Sequence, residues 1–166
     1  MTAARTLAFD PIERAGDLWE ERIGDASAMR LATSIMRVQQ LVLASLDAAV
    51  KPFGITFARF EVLVLLSFSR SGSLPLNKVG ERLMVHPTSV TNLIDRLEAQ
   101  GLVARETDAA DRRRILASLT PAGQRVLKLA TAALNDIDFA VGTLDAADQE
   151  KAYDLLCSLR STDFDG

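Results

Sequence analysis

The sequence predicts a mainly α-helical fold with one small β hairpin in its second half. Over most of the 166 residues, apolar side chains recur at spacings of three and four, which places them on one face of a helix. Two short apolar runs, 102–107 and 115–119, instead flank a charged segment, as the strands of a hairpin do. The length is that of one domain.

Composition and charge exclude several classes of protein. Hydrophobic residues make up 48% of the chain, which excludes a disordered protein. The net charge is −3, with the acidic excess at the two ends of the chain and a neutral to slightly basic middle. One cysteine and one histidine leave almost no ligands for a zinc site and no constellation for catalysis. We therefore expect no metal, no cofactor and no enzymatic activity.

The chain gives no sign of a membrane or export signal. It has no run of about 18 apolar residues, which is the length that a spanning helix needs. The first residues, MTAARTLAFDPIER, contain no apolar signal region. We expect a cytoplasmic protein without a membrane partner.

Two helices are predicted in the first third of the chain. Asp10 and Pro11 suit the cap and first position of a helix over 10–24. A longer helix follows from Ser27 to about residue 50 and stops at the sequence KPFG. Its apolar residues cover more than one face, which is typical of a helix that packs on its own domain and on a second subunit.

The middle of the chain predicts two short helices and an edge strand. Residues 56–69 contain the run VLVLL, which is compatible with a buried strand, but the length of the segment favours a helix. Residues 74–76 resemble a short edge strand, where proline is tolerated. Asn77 is then expected to cap a helix that runs to Met84 and is broken before Pro87.

A second helix follows that break at once. It is predicted from Pro87 to Gly101, with an apolar stripe of Val90, Leu93, Ile94 and Leu97. Strand 102–107, a charged loop over 108–114 and strand 115–119 come next. Helix, turn, helix, strand, charged loop and strand is the order of a winged helix-turn-helix.

Two helices complete the prediction. Thr120 and Pro121 start one that runs to about residue 141, and Asp145 caps the last. Cys157 lies among leucines of that last helix, which favours a buried structural thiol.

The segment TSVTNLIDRLEAQGLVARETDAADRRRILASLTPAG, residues 88–123, resembles the MarR family of bacterial transcriptional regulators. DRLEAQGLV and the pattern DRRR followed by LTPAG are its most specific parts. The resemblance implies one domain over 1–166 with a DNA-binding lobe at 56–120. It also implies dimerisation helices at 27–52 and 121–163 and an extra N-terminal helix at 10–24. Family members are homodimers that bind pseudo-palindromic operators in double-stranded DNA, and many are repressors released by a small aromatic ligand.

The resemblance also assigns site residues. Those of the recognition helix are expected to contact DNA, although the hydroxyl groups could merely cap the helix: Thr88, Ser89, Thr91, Asn92 and Arg96. Arg113 at the wing tip is expected to enter the minor groove, with Asp111 as its orienter and Arg112 as a phosphate contact. The alternative is a solvated hairpin tip.

Three further residues resemble the ligand pocket of the urate-responsive subgroup: Trp19, Glu61 and Arg105. Simple packing is the alternative for Trp19. His86, before the recognition helix, could cap it, contact phosphate or respond to pH, and capping is favoured. A DNA-binding regulator without an effector, and a winged helix used only for protein contacts, stay open as alternatives.

Overall fold

A computed structural model describes residues 7–161. It contains seven α-helices and three strands among those residues. The helices are α1 (Pro11–Arg22), α2 (Ser27–Val50), α3 (Phe57–Ser67), α4 (Leu76–Leu83), α5 (Pro87–Ala99), α6 (Pro121–Asp136) and α7 (Ala146–Arg160). The strands are β1 (Ser73–Pro75), β2 (Val103–Thr107) and β3 (Ile115–Leu119). The predicted class, mainly α with a small β wing, is confirmed.

Two segments of the predictions lie partly outside the described residues. The predicted dimerisation segment 121–163 ends two residues after the last described residue. The N-terminal sequence MTAARTLAFDPIER, in which no signal region is predicted, begins six residues before the first described residue. Within 7–161, no single helix is both long and apolar enough to cross a bilayer. The segments 27–53 and 57–67 have the required length and apolar composition only when taken together, and they are bent relative to each other by 73°.

The chain divides into two compact units inside α2, between Ala44 and Ser45. In the first unit, the Asp10 side chain caps α1 by accepting a hydrogen bond from the Ile12 amide at 2.8 Å. Arg30 of α2 crosses Gly16, where a Cβ would lie 2.0 Å from the Arg30 Nε, and it pairs with Asp17 and Glu20 of α1.

The second unit has its core between α3, α4, α5, α6 and the sheet. The side chains that fill it are almost fully buried and come from each of these elements: Val62, Leu63, Leu66, Val79, Ile94, Leu97, Val103, Ala117 and Leu134. The strands pair antiparallel in the order β1–β3–β2, with Ala117 opposite both Leu74 and Arg105. This core fixes the face that α5 turns outward.

The start of α6 is held tightly against the end of α5. The Thr120 hydroxyl donates to the Gly101 carbonyl at 2.7 Å and accepts from the Gly123 amide at 3.0 Å. A Cβ on Gly123 would lie 2.0 Å from the Leu102 carbonyl oxygen, so this close approach requires glycine.

Three sequence predictions of local structure are wrong. Asn77 does not cap α4, because β1 ends at Pro75 and the helix begins at Leu76. Helix α6 ends at Asp136, about five residues early, because Asp138–Ala140 turns left-handed, with φ between 46° and 62°. Cys157 is only half-buried, and none of the described residues of α7 is buried.

Candidate nucleic-acid interface

Helix α5 presents a polar face because its apolar stripe is buried. Val90, Ile94 and Leu97 are at most 2% exposed and hold the helix against the core. The predicted DNA-contact residues therefore all lie exposed on the other side: Thr88, Ser89, Thr91, Asn92 and Arg96. The structure brings these side chains together on one face, as a helix that reads a groove requires.

The start of α5 is capped by an imidazole. The His86 Nδ1 accepts a hydrogen bond from the Thr88 amide at 3.3 Å, and Pro87 occupies the first helical position. Of the roles weighed for His86, the structure therefore displays capping. The Thr91 hydroxyl donates a hydrogen bond to the Pro87 carbonyl at 3.2 Å. This bond also supports the alternative in which the hydroxyl groups stabilise the start of the helix.

The turn between α4 and α5 is compact. Met84 ends α4 in the left-handed region, at φ 53°, and the Val85 amide donates to the Gly80 carbonyl at 3.1 Å. A Cβ on Gly80 would lie 3.1 Å from Val90 Cγ2, so the small residue lets α5 approach α4 closely. This packing fixes the angle at which α5 leaves the turn.

The wing loop between β2 and β3 is ordered by its own aspartates. The Asp111 carboxylate accepts from the Arg113 amide at 3.1 Å, and the Asp108 carboxylate accepts from the Ala110 amide at 2.8 Å. Asp111 thus orients Arg113 through its backbone. The Arg114 guanidinium lies 3.7 Å from Asp108.

Two wing arginines extend into solvent. The guanidinium groups of Arg112 and Arg113 make no hydrogen bond or ion pair with another residue in the part of the chain that the structure describes, and both residues are exposed. Two exposed cations at the tip of an ordered loop carry positive charge of the kind that phosphates attract.

A basic cleft of about 720 Å³ separates the wing from α4 and α5. Thr91, Arg105, Arg113 and Arg114 line it. So do Asn77 and Lys78, which the sequence predictions did not include. Lys78, two residues after the predicted edge strand, was the available signal for this extension, although its ammonium group lies 2.6 Å from the Glu81 carboxylate.

Arg105, which was predicted in a ligand pocket, is engaged with the recognition helix. From β2 its Nε donates to the Glu98 carboxylate at 2.8 Å, and its Nη2 contacts Asp95. The hydrogen bond to Asp95, followed by that to Glu98, raises the pKa of Arg105, although desolvation acts against this shift. The guanidinium thus joins the wing strand to α5.

The other two predicted ligand residues lie in different units. Trp19 is 38% exposed on α1 in the first unit, and Glu61 lies on α3 in the second. Glu61 is an exposed residue, yet partial burial of its carboxyl group raises its pKa. Among residues 7–161, no group of three or more histidine, cysteine, aspartate or glutamate side chains could hold a metal ion.

The polar face of α5, the compact turn and the cationic wing define a winged helix-turn-helix protein of the DNA-binding type. A model of the MarR family matches residues 53–114. Sco5413, a MarR family transcriptional regulator from Streptomyces coelicolor, is 50% identical, with a TM-score of 0.77 over 84% of this chain and 98% of that chain. A cysteine-to-serine mutant of Escherichia coli MarR, solved with operator DNA, is 25% identical, with a TM-score of 0.72 over 86% and 98% of the two chains.

Among curated proteins, the transcriptional repressor MdtR of Bacillus subtilis is 37% identical over 103 residues, which are 57% of this chain and 65% of MdtR. The chain spans between about half and two thirds of the length of the first curated relatives that it matches. The chain belongs to the MarR family. Membership places it among transcriptional regulators rather than enzymes.

Proposed function

We propose that the chain is a homodimeric repressor that binds a pseudo-palindromic operator in double-stranded DNA and acts in the cytoplasm. The observation that carries this proposal is the exposed polar face of α5 beside a wing whose Arg112 and Arg113 have no partner within residues 7–161. Uncharged hydroxyl and amide groups fit base edges and phosphates, and the wing cations fit a narrow minor groove.

Each part of this interface has a proposed role. Thr88, Ser89, Thr91 and Asn92 approach the major groove, and Arg96 contacts the backbone further along. Asn92 can form two hydrogen bonds with adenine, so an adenine in the half-site is expected. Arg113 enters the minor groove, Asp111 holds its backbone, and Arg112 pairs with phosphate.

Exposed apolar surface supports the dimer. Helix α7 exposes four large side chains, Tyr153, Leu155, Leu156 and Leu159, and buries none of its described residues. The part of α2 in the first unit exposes Leu31, Met36, Val38 and Leu41. Monomeric proteins rarely expose apolar surface of this extent, and a second copy that covers it supplies the two-fold symmetry that a pseudo-palindromic operator matches.

A gel shift with the DNA upstream of the chain's own gene tests the DNA-binding role. We expect a retarded complex that resists competition by scrambled DNA, and sedimentation that gives twice the mass of one chain. Absence of a sequence-dependent shift with a correctly folded dimer would exclude operator binding and would favour the alternative of a winged helix used for protein contacts.

We further propose that a small aromatic or purine-like ligand releases the repressor. The support is the resemblance of Trp19, Glu61 and Arg105 to the urate-responsive subgroup. Because Asp95 and Glu98 already engage the Arg105 guanidinium, a ligand that uses Arg105 has to compete with both carboxylates.

Thermal shift assays with urate, xanthine and salicylate test the ligand. A stabilising shift with a purine, together with weaker DNA binding, supports ligand release. If none of the three compounds shifts the melting temperature, the ligand proposal fails and the regulator without an effector becomes the better description.

A further inference from the structure

Two carboxylates lie on the face of α5 that is proposed to meet DNA. Asp95 follows Thr91 by four residues and Asn92 by three, so these side chains neighbour one another on the helix surface. Glu98 lies one turn beyond Asp95 and is likewise exposed. Uncompensated carboxylates at this place repel phosphates within a Debye length of about 10 Å.

Arg105 compensates both charges from the wing side. Its side chain is 25% exposed, less than that of Asp95 at 50% or Glu98 at 43%. The Nε lies 2.8 Å from the Glu98 Oε2, and the Nη2 contacts the Asp95 Oδ1. The planar fork of arginine suits such a bridge, whereas the point charge of lysine does not.

The strand that carries Arg105 is fixed in the sheet. Arg105 lies opposite Ala117 of β3, which is fully buried, and β2 leads directly into the wing loop. The guanidinium therefore joins two parts of the interface that the chain connects only through Gln100, Gly101 and Leu102. The ion pairs that the Arg105 side chain makes within residues 7–161 are those with Asp95 and Glu98.

We propose that Arg105 is a positioning residue for DNA binding, which rests on the proposed function. It neutralises Asp95 and Glu98 on the recognition helix and ties the wing to that helix, so that the helix approaches the phosphates without repulsion. Arg105 acts through the two carboxylates and makes no phosphate contact of its own.

The test is a cycle of four proteins. Each protein is titrated against the operator fragment at several salt concentrations. The four are wild type, Arg105→Gln, the double variant Asp95→Asn/Glu98→Gln and the triple variant that combines all three changes. Arg105→Lys serves as the variant that keeps the charge but loses the fork. Arg14→Gln, which removes an exposed arginine of α1 that has no ion pair within residues 7–161, is the matched control. Circular dichroism checks that each variant is folded.

We expect Arg105→Gln to weaken binding by about tenfold at low salt, since two carboxylates per subunit become uncompensated. The triple variant should bind within about twofold of the double variant, because the acids through which Arg105 acts are then absent. Arg105→Lys should lie between wild type and Arg105→Gln, and Arg14→Gln should bind as wild type does.

Two results would overturn the positioning role. If the loss caused by Arg105→Gln is equally large with and without the two carboxylates, Arg105 contacts DNA directly. If Arg105→Gln binds as wild type does, the bridge has no part in DNA binding. Failure of the proposed function is distinct from both, since then the wild-type protein itself shows no sequence-dependent binding.

Discussion

Removing the unpaired cations of the wing should reduce the salt dependence of DNA binding. In each subunit Arg112 and Arg113 have no partner among the described residues, whereas Arg114 lies 3.7 Å from Asp108. Each neutralised phosphate contributes about 0.9 to the slope of log affinity against log salt, so Arg113→Ala should lower the slope by about 1.8 for a dimer. The double variant Arg112→Ala/Arg113→Ala should lower it by about twice as much.

These slopes translate into affinities that fluorescence anisotropy can measure. Between about 50 and about 200 mM salt, wild-type affinity should fall about twelvefold more than that of Arg113→Ala. Arg114→Ala should change the slope less, because Asp108 already offsets that charge, and Arg14→Ala on α1 should not change it. Equal slopes for wild type and the double variant would refute the assignment of the wing to DNA.

Three further changes test the local structure. Gly123→Ala places a Cβ 2.0 Å from the Leu102 carbonyl oxygen, so we expect a loss of several kcal/mol, of order 2–4, in chemical denaturation. Glu61→Gln should raise the melting temperature at pH 7, because burial raises the pKa of Glu61 and penalises its charged form in the folded state. The gain should disappear near pH 3, where the carboxyl is protonated in both states, and a gain that persists there would contradict this origin. His86→Ala should lower stability by about 0.5–1 kcal/mol through loss of the cap to Thr88, whereas His86→Asn should retain it, and equal melting of both variants would exclude a capping role.

The sequence predicted those parts of the fold that rest on local chemistry. Pro87 and Gly101 mark the limits of the recognition helix, because proline suits a first helical position and Gly101 takes a φ of 68°. The exposed face of α5 followed from the spacing of its apolar residues. The charged loop between two short strands likewise predicted the wing.

The features that the sequence did not predict depend on contacts between residues distant in the sequence, or on backbone conformations that the residue types do not favour. Arg105 pairs with residues seven and ten positions earlier, and only the course of β2 reveals this. The early end of α6 has no glycine or proline to mark it at residues 138–140. Burial of Cys157 was inferred from neighbouring leucines, but apolar neighbours along a helix do not by themselves bury a side chain, and Cys157 is half-buried in a helix with no buried residue among its described ones.

The bend after α6 runs against the intrinsic preference of its own residues. Three consecutive residues that are not glycine, Asp138, Phe139 and Ala140, occupy the left-handed region, which costs L-amino acids about 1–2 kcal/mol each. An isolated peptide of this sequence should therefore favour continued right-handed helix over the bend. Glycine, which usually weakens a helical protein, should here strengthen it, and Ala140→Gly is the simplest route to a more stable form of this chain.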